Sequence, residues 1–401
     1  MTRDRAPVLL VAAQGVIGGA ERVLLELLSD VPPGDAVVCA PIGSPLSKEL
    51  SARGYVVRDL SLPKLVHSAS RLGYIRSYLR ALRSVLAAVR QERATVIHGF
   101  AAFTIKLVVP ASILTRVPAM VTVHEVTNRR SIGLARSWAQ RWLARRYLSL
   151  VVAVSSYVAD ALMASGYPPD RVVVVHNGIT RSTPLRSAEE ARRDLGLPND
   201  RLLFVLVGRL SRMKGVHIAI EAIELYRHCA DVPPALLVIV GGQAWPEDES
   251  YHQQLTHLVA ARGLAENVLF VGHQRNVDAF YDASDIVLVP SVEPDPFPTV
   301  VLEAGLAGRP VIASDCGGAP EAVVEGVTGL VVSPTAVALA SAMQRCVDPS
   351  WRQAAGAAAQ AHVRTHFSAI AFTSATRAQW QDVSRGRDGR AFRRRTGMPR
   401  R

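Results

Sequence analysis

Apolar residues in this chain come in short blocks separated by longer mixed stretches. The first set of blocks is Val8–Ala13, Asp35–Ala40, Tyr55–Leu60, Thr95–His98, Met120–His124, Val151–Ser155 and Arg171–His176. A second set follows: Leu202–Val207, Leu236–Val240, Asn267–Gly272, Ile286–Val289 and Val323–Val332. These runs are β-branched and too short for helices, as strands buried on both faces of a parallel sheet are. The intervening stretches carry helical periodicity. In Ser70–Arg93, Leu72, Ile75, Leu79, Leu82, Leu86 and Val89 recur at three- and four-residue steps and predict one apolar stripe. Further helices are expected at Val277–Asp285, Ala336–Val347, Gln353–His366 and Ala369–Val383. Strands alternating with helices predict an α/β fold with parallel sheets.

A chain of 401 residues suffices for two domains. The polar stretch after Thr180, with a short helix at Glu189–Arg193, reads as a linker. The expected organisation is 1–180, a linker 181–200, a second domain 201–366, a last helix 367–383 and a basic tail 384–401.

Candidate chemistry gathers at the strand ends, where ligands bind in open α/β sheets. After Ile286–Val289, Pro294, Pro296 and Pro298 forbid regular structure until Thr299, which can cap a helix. That helix start presents unpaired N–H groups to an anion, and Asp295 and Glu303 flank the same mouth. After Leu202–Val207 come Gly208-Arg209 and then Lys214-Gly215, which set two cations just past a buried strand. Gly241-Gly242 and Gly272 follow two further strands. In the first half, Gly18 and Gly19 form a glycine turn that fits neither the dinucleotide fingerprint nor a P-loop. His98 and His124-Glu125 close two strands, where an imidazole can exchange hydrogen bonds with a hydroxyl.

Taken together these segments resemble the retaining glycosyltransferases of family 4 (GT4). Asp295 and Glu303, seven residues between them and Phe297 inside, match the family's acidic pair; Gly18-Gly19 match its glycine loop, and Arg209 and Lys214 its diphosphate-binding cations. The resemblance covers residues 8–383. It implies a GT-B fold: two Rossmann-like domains facing across a cleft, with a C-terminal helix crossing back to the first. It also implies retaining transfer of a sugar from a nucleotide donor, by same-face attack assisted by the departing phosphate. Donor contacts are expected from Gly18, Gly19, Gly208, Arg209, Lys214, Gly241, Gly272, Asp295, Phe297, Pro298, Thr299 and Glu303. Of these Glu303 is assigned to the ribose and Asp295 to the sugar. Catalysis is assigned to His124, Asp295, Arg209 and Lys214, and the acceptor side to His98, His124 and Glu125. No Asp-x-Asp pair is present, and the expected reaction needs no metal or other cofactor beyond the nucleotide sugar. Two departures stand out: Asp295 replaces the family's usual Glu, and Pro296 and Pro298 replace glycines and remove two backbone donors.

Charge changes this picture little. Of the net +12, a large share sits in eight arginines between Ser384 and Arg401. No nucleic-acid-binding module accompanies them, so a nucleic-acid partner is not expected. Only four lysines occur, an arginine bias typical of a GC-rich bacterial genome. No apolar run approaches the roughly 18–20 residues of a membrane span, and Cys39, Cys229, Cys316 and Cys346 lack metal spacing. A cytoplasmic protein is expected. Its acceptor would be a glycan, a lipid-linked sugar or a small molecule, in cell-envelope polysaccharide or glycolipid synthesis. Arg76, Arg80, Arg83 and Arg90 border the stripe of Ser70–Arg93, and Trp138 and Trp142 lie among Arg136, Arg141, Arg145 and Arg146; both suit peripheral contact with an anionic membrane on its inner face. The competing readings are an epimerase or phosphorylase on the same fold, a basic binding protein without catalysis, and a degenerate transferase.

Overall fold

The computed structural model describes residues 7–60, 71–125, 142–181, 183–242 and 246–386. The chain divides into two compact units, Met1–Gly178 with Ala369–Arg401, and Ile179–Ser368.

The first unit is built on β1 (Val8–Val11), β2 (Ala36–Ala40), β3 (Val56–Asp59), β4 (Val96–Gly99), β5 (Ala119–Val123), β6 (Leu150–Ala153) and β7 (Val172–Val174). All pair in parallel, in the order β3-β2-β1-β4-β5-β6-β7. The central strands are buried along their whole length, as their unbroken apolar runs require. Only the edge strand β3 carries charge, Arg58 and Asp59, which discourages pairing with another chain.

The second unit repeats the winding with six parallel strands: β8 (Leu202–Val207), β9 (Ala235–Val240), β10 (Val268–Gly272), β11 (Ile286–Val289), β12 (Val311–Ser314) and β13 (Gly329–Val332). Their order is β10-β9-β8-β11-β12-β13. Strand order reverses beside β1 in one unit and beside β8 in the other, and the carboxyl ends of the strands there form the crevice in which α/β sheets take ligands. Both units are Rossmann-like, as expected. Among the described residues no helix is long and apolar enough to cross a membrane.

Three expectations shift. The stretch read as a linker holds its expected short helix, at Ala188–Leu195, but Ala191 of that helix lies with Leu197, Leu203 and Phe280 in the core of the second unit. Its Arg192 donates to Asp285 Oδ2 at 2.7 Å, so the charge that suggested solvent is consumed inside the fold. The long helix, Arg71–Glu92, buries Ala81, Val85, Ala88 and Val89 and leaves Ile75 and Leu79 at 53% and 42% exposure. The helix packs on the helix Ile105–Thr115 and touches β1–β3. Finally, Val323–Val332 yields one strand, β13, preceded by a short 3-10 turn at Ala319–Ala322.

The last helix, Ala369–Ser384, joins the first unit, packing on the helix Gly19–Ser29 with Phe372, Trp380 and Val383 in its core. The expected tail beyond residue 386, and Arg136, Trp138 and Arg141, lie outside the described residues.

Candidate active site

Three loops at the carboxyl edge of the second sheet converge on Asp295. β8 ends at Val207; Gly208, Arg209 and a 3-10 turn Arg212–Lys214 lead to Gly215, which opens the helix Val216–Arg227. Gly215 has φ +67°, and a Cβ there would fall 1.8 Å from the carbonyl oxygen of Pro290, just after β11. Only glycine allows that approach. It brings the loops together, with Val292 N–H donating to Met213 O at 2.9 Å. Lys214 Nζ consequently forms an ion pair with Asp295 Oδ2. From β12, Gly318 N–H donates to Asp295 O at 2.8 Å, and Gly317, at φ +73°, passes so close that a Cβ would lie 2.2 Å from that oxygen. Asp295 is fixed by its backbone on one side and by its carboxylate on the other.

Arg209 is half-buried and donates through Nη2 to Met213 Sδ at 3.4 Å. No acid among the described residues pairs with it. One cation of the predicted pair is therefore neutralised and the other is available. The hydroxyls of Ser211 and Ser291, both buried beside these loops, have no hydrogen-bond partner among the described residues.

The helix after β11 runs Thr299–Leu306. Its cap is the extended Pro298, and Thr299, expected as the cap, is the first helical residue; no side chain caps the opening N–H groups. These remain open to an anion. Glu303, one turn on, accepts a 2.6 Å hydrogen bond at Oε2 from Tyr281 Oη. The ring of Phe297 is buried against Phe367, centroids 5.6 Å apart, and packs the loop. Gly208, Gly241 and Gly272 end adjacent strands, with Gly208 N–H donating to Val240 O at 3.0 Å and Gly241 N–H to Gly272 O at 2.9 Å. They leave that side of the edge without side chains.

In the first unit, Gly18 precedes the helix opened by Gly19, and Glu21 folds back to accept Gly18 N–H at 3.1 Å. Burial pushes the Glu21 carboxyl up, against the lowering effect of its backbone hydrogen bonds. This glutamate caps its helix. His98 requires correction. It is fully buried, Trp380 Nε1–H donates to its Nδ1 at 3.0 Å, and its Nε2 lies 2.8 Å from Thr122 Oγ1. Indole can only donate, so Nδ1 accepts, and the ring proton on Nε2 goes to Thr122. Both nitrogens are used within the core, and burial lowers the pKa to about 3. His98 lines no cleft; it ties the last helix to the sheet.

His124, just beyond β5, differs. Its Nε2 has no partner among the described residues, its ring lies 4.7 Å from that of Phe100, and burial lowers its pKa to about 4. That nitrogen is buried, and a hydroxyl that reached it would meet a neutral imidazole able to bond to it. Glu125 follows it, exposed. Tyr281 had no sequence signal: it is an aromatic residue in a helix ahead of β11, and its bond to Glu303 spans 22 positions.

Both halves of the chain match known proteins. Residues 17–182 match the family model Glycosyltransferase Family 4, and residues 187–361 match Glycosyl transferases group 1. The D-inositol 3-phosphate glycosyltransferase of Corynebacterium aurimucosum is 33% identical over 266 residues, 64% of this chain and 62% of that one. The match thus spans less than two thirds of that relative. The glycogen synthase of Mycobacterium tuberculosis is 29% identical over 323 residues, 78% of this chain and 74% of the other. Among solved structures, Anabaena HepE in complex with UDP shares the fold with a TM-score of 0.81 at 23% identity, covering 94% of this chain and all of that one. A glycosyltransferase from Rickettsia africae gives 0.80 at 20%, covering 95% and 99%. With a family-4 module carrying His124 and a group-1 module carrying Arg209, Lys214, Asp295 and Glu303, this chain belongs to the GT4-type glycosyltransferases of GT-B fold.

Proposed function

We propose that the protein transfers a sugar from a nucleotide-sugar donor to an acceptor hydroxyl with retention at the anomeric carbon. The observation that carries this reading is the convergence on one edge of the second sheet of Arg209, the Lys214–Asp295 pair and the uncapped start of Thr299–Leu306. That set suits a diphosphate whose negative charge grows as it leaves. The cations and helix start do this work without a metal. As the bond from the anomeric carbon to the diphosphate breaks, the acceptor oxygen bonds to the same face, and its proton passes to the departing phosphate oxygen. Glu303 is assigned to the ribose hydroxyls, Asp295 to the sugar, and His124 Nε2 to an acceptor hydroxyl. Pro296 and Pro298 offer no backbone N–H, so recognition of the sugar falls to side chains and to the remaining amides.

The acceptor class we assign is a lipid-linked or membrane-proximal glycan, as in polysaccharide or glycolipid synthesis. Exposed Ile75 and Leu79 beside exposed Arg76, Arg80 and Arg83 support it, as does Trp142, half exposed next to Arg145 and Arg146. Co-sedimentation with anionic vesicles, lost in an Ile75→Ser, Leu79→Ser variant, is the expected result.

The donor reading is tested by thermal stability of the purified protein with UDP, GDP, dTDP, ADP and their common sugars, with chelator present. Selective stabilisation by one nucleotide is expected, followed by NMR of the product anomer. Stabilisation by none refutes the assignment.

A further inference from the structure

Glu303 is a half-exposed carboxylate on a helix, with three rotatable bonds of its own. What fixes it is not on its helix. Tyr281 belongs to the short helix Asp278–Ala283, ahead of β11, and its side chain is fully buried. That helix is anchored away from the crevice: Arg181 Nη2 meets Asp282 Oδ2 at 2.6 Å, Arg309 Nη2 donates to Asp282 O at 2.5 Å, and Phe280 lies in the core with Leu203 and Ala191. The phenol oxygen is thus held in one place, and its 2.6 Å bond to Oε2 selects one orientation of the carboxylate. An ionised carboxylate has about four acceptor sites. Tyr281 takes one on Oε2, which leaves Oε1 and the rest for a partner with two hydroxyls.

We propose that Tyr281 is a positioning residue for donor recognition, holding the Glu303 carboxylate so that it accepts both hydroxyls of the ribose cis-diol of a nucleoside diphosphate. This rests on the donor reading above. The hydroxyl does not touch the ligand. It removes the rotational freedom that Glu303 would otherwise lose on binding, and preorganisation of this kind raises affinity without a new contact. The bond is present before and after binding, so its gain is the avoided cost of immobilising one long side chain, up to about tenfold in affinity.

The test is calorimetric titration of the full chain with UDP, GDP and ADP, and with the 2′,3′-dideoxy analogue of whichever binds. Tyr281→Phe removes one oxygen and keeps the buried ring. The expected result is a roughly tenfold weaker Kd for the ribonucleotide and little change for the dideoxy analogue. With the cognate sugar donor, KM rises and kcat is unchanged. Glu303→Gln weakens the ribonucleotide at least as much, and the double variant is no weaker than Glu303→Gln alone. A structural role alone would lower thermal stability and affect both nucleotides equally, which would overturn the proposal. Unchanged affinity in Tyr281→Phe with weakened affinity in Glu303→Gln would overturn it and leave the donor reading standing. Unchanged affinity in Glu303→Gln would remove the assignment of Glu303 to the ribose and this inference with it, and no nucleotide bound by the wild-type chain would remove the donor reading as well.

Discussion

The Lys214–Asp295 pair predicts opposite effects from its two halves. Arg209, Lys214 and Asp295 together carry one net positive charge at the crevice. Asp295→Asn keeps the backbone contacts to Gly317 and Gly318 and raises that charge to two. Lys214→Gln lowers it to zero and leaves a carboxylate facing the phosphates. At a separation of roughly 6 Å and an effective dielectric of roughly 20–40, one unit charge changes a phosphoryl interaction by about 1.5–3 kcal/mol. The side chains of Lys214 and Asp295 keep 25% and 12% exposure, so solvent screening favours the lower end. Nucleoside diphosphate should therefore bind about tenfold more tightly to Asp295→Asn and about tenfold more weakly to Lys214→Gln. Both differences should shrink in about 0.5 M salt, where the screening length shortens. Turnover of the sugar donor should fall in both, in Asp295→Asn because Asp295 is assigned to the sugar and in Lys214→Gln because a cation facing the leaving diphosphate is lost. Calorimetry at two salt concentrations measures the first effect and initial rates the second. Weaker diphosphate binding in Asp295→Asn would refute the reasoning: the carboxylate would then serve to aim Lys214, and its charge would not oppose the ligand.

Other expectations concern the scaffold. His98 and His124, with pKa values of about 3 and about 4 against an ordinary 6.5, are neutral when folded and charge when unfolded. Their contribution is complete above pH 6.5 and is lost as pH falls toward those values, by up to about 1.4 kcal/mol per pH unit for each histidine; urea titrations from pH 7.5 to 5 should show it, with a shallower slope in His124→Gln. Gly317→Ala places a Cβ 2.2 Å from Asp295 O at φ +73° and should cost more than about 1 kcal/mol. It should also abolish diphosphate binding, read by circular dichroism and calorimetry on the same sample. Arg192→Leu strips Asp285 of its nearest cation and should destabilise the second unit by about 2–4 kcal/mol, by denaturant unfolding, with nucleotide affinity unchanged.

Most strands were legible because burial on both faces writes an apolar run: Ile286–Val289 and Leu202–Val207 fall where their apolar residues do, while Val311–Ser314, only four residues long, was not among the expected strands. Position along a strand was legible too, which is why Arg209, Lys214, Asp295 and Glu303 reach one edge. What periodicity alone could not give is which apolar face a helix buries. In Arg71–Glu92 the larger residues suggested a stripe through Ile75 and Leu79, whereas the buried face runs through Ala81, Val85, Ala88 and Val89 and shares Val89 with it. Charge misled at Ala188–Leu195 because a sequence does not show that Arg192 has Asp285 to meet, 93 positions away. His98 misled for the same reason: its partner is Trp380. Contacts of such separation are set by topology, and Tyr281 with Glu303 belongs with them.

The first unit is interrupted in sequence, since Ala369–Ser384 completes it after the whole of Ile179–Ser368. During synthesis at roughly 5–20 residues per second, the ribosome takes about 10–40 s to make the intervening segment. Throughout that interval His98 Nδ1 lacks its indole donor, and the side of Gly19–Ser29 that Phe372 and Trp380 cover faces water. The later-made unit has all its strands before the earlier one can close. Order of birth and order of completion are reversed: the unit begun first is the one closed last.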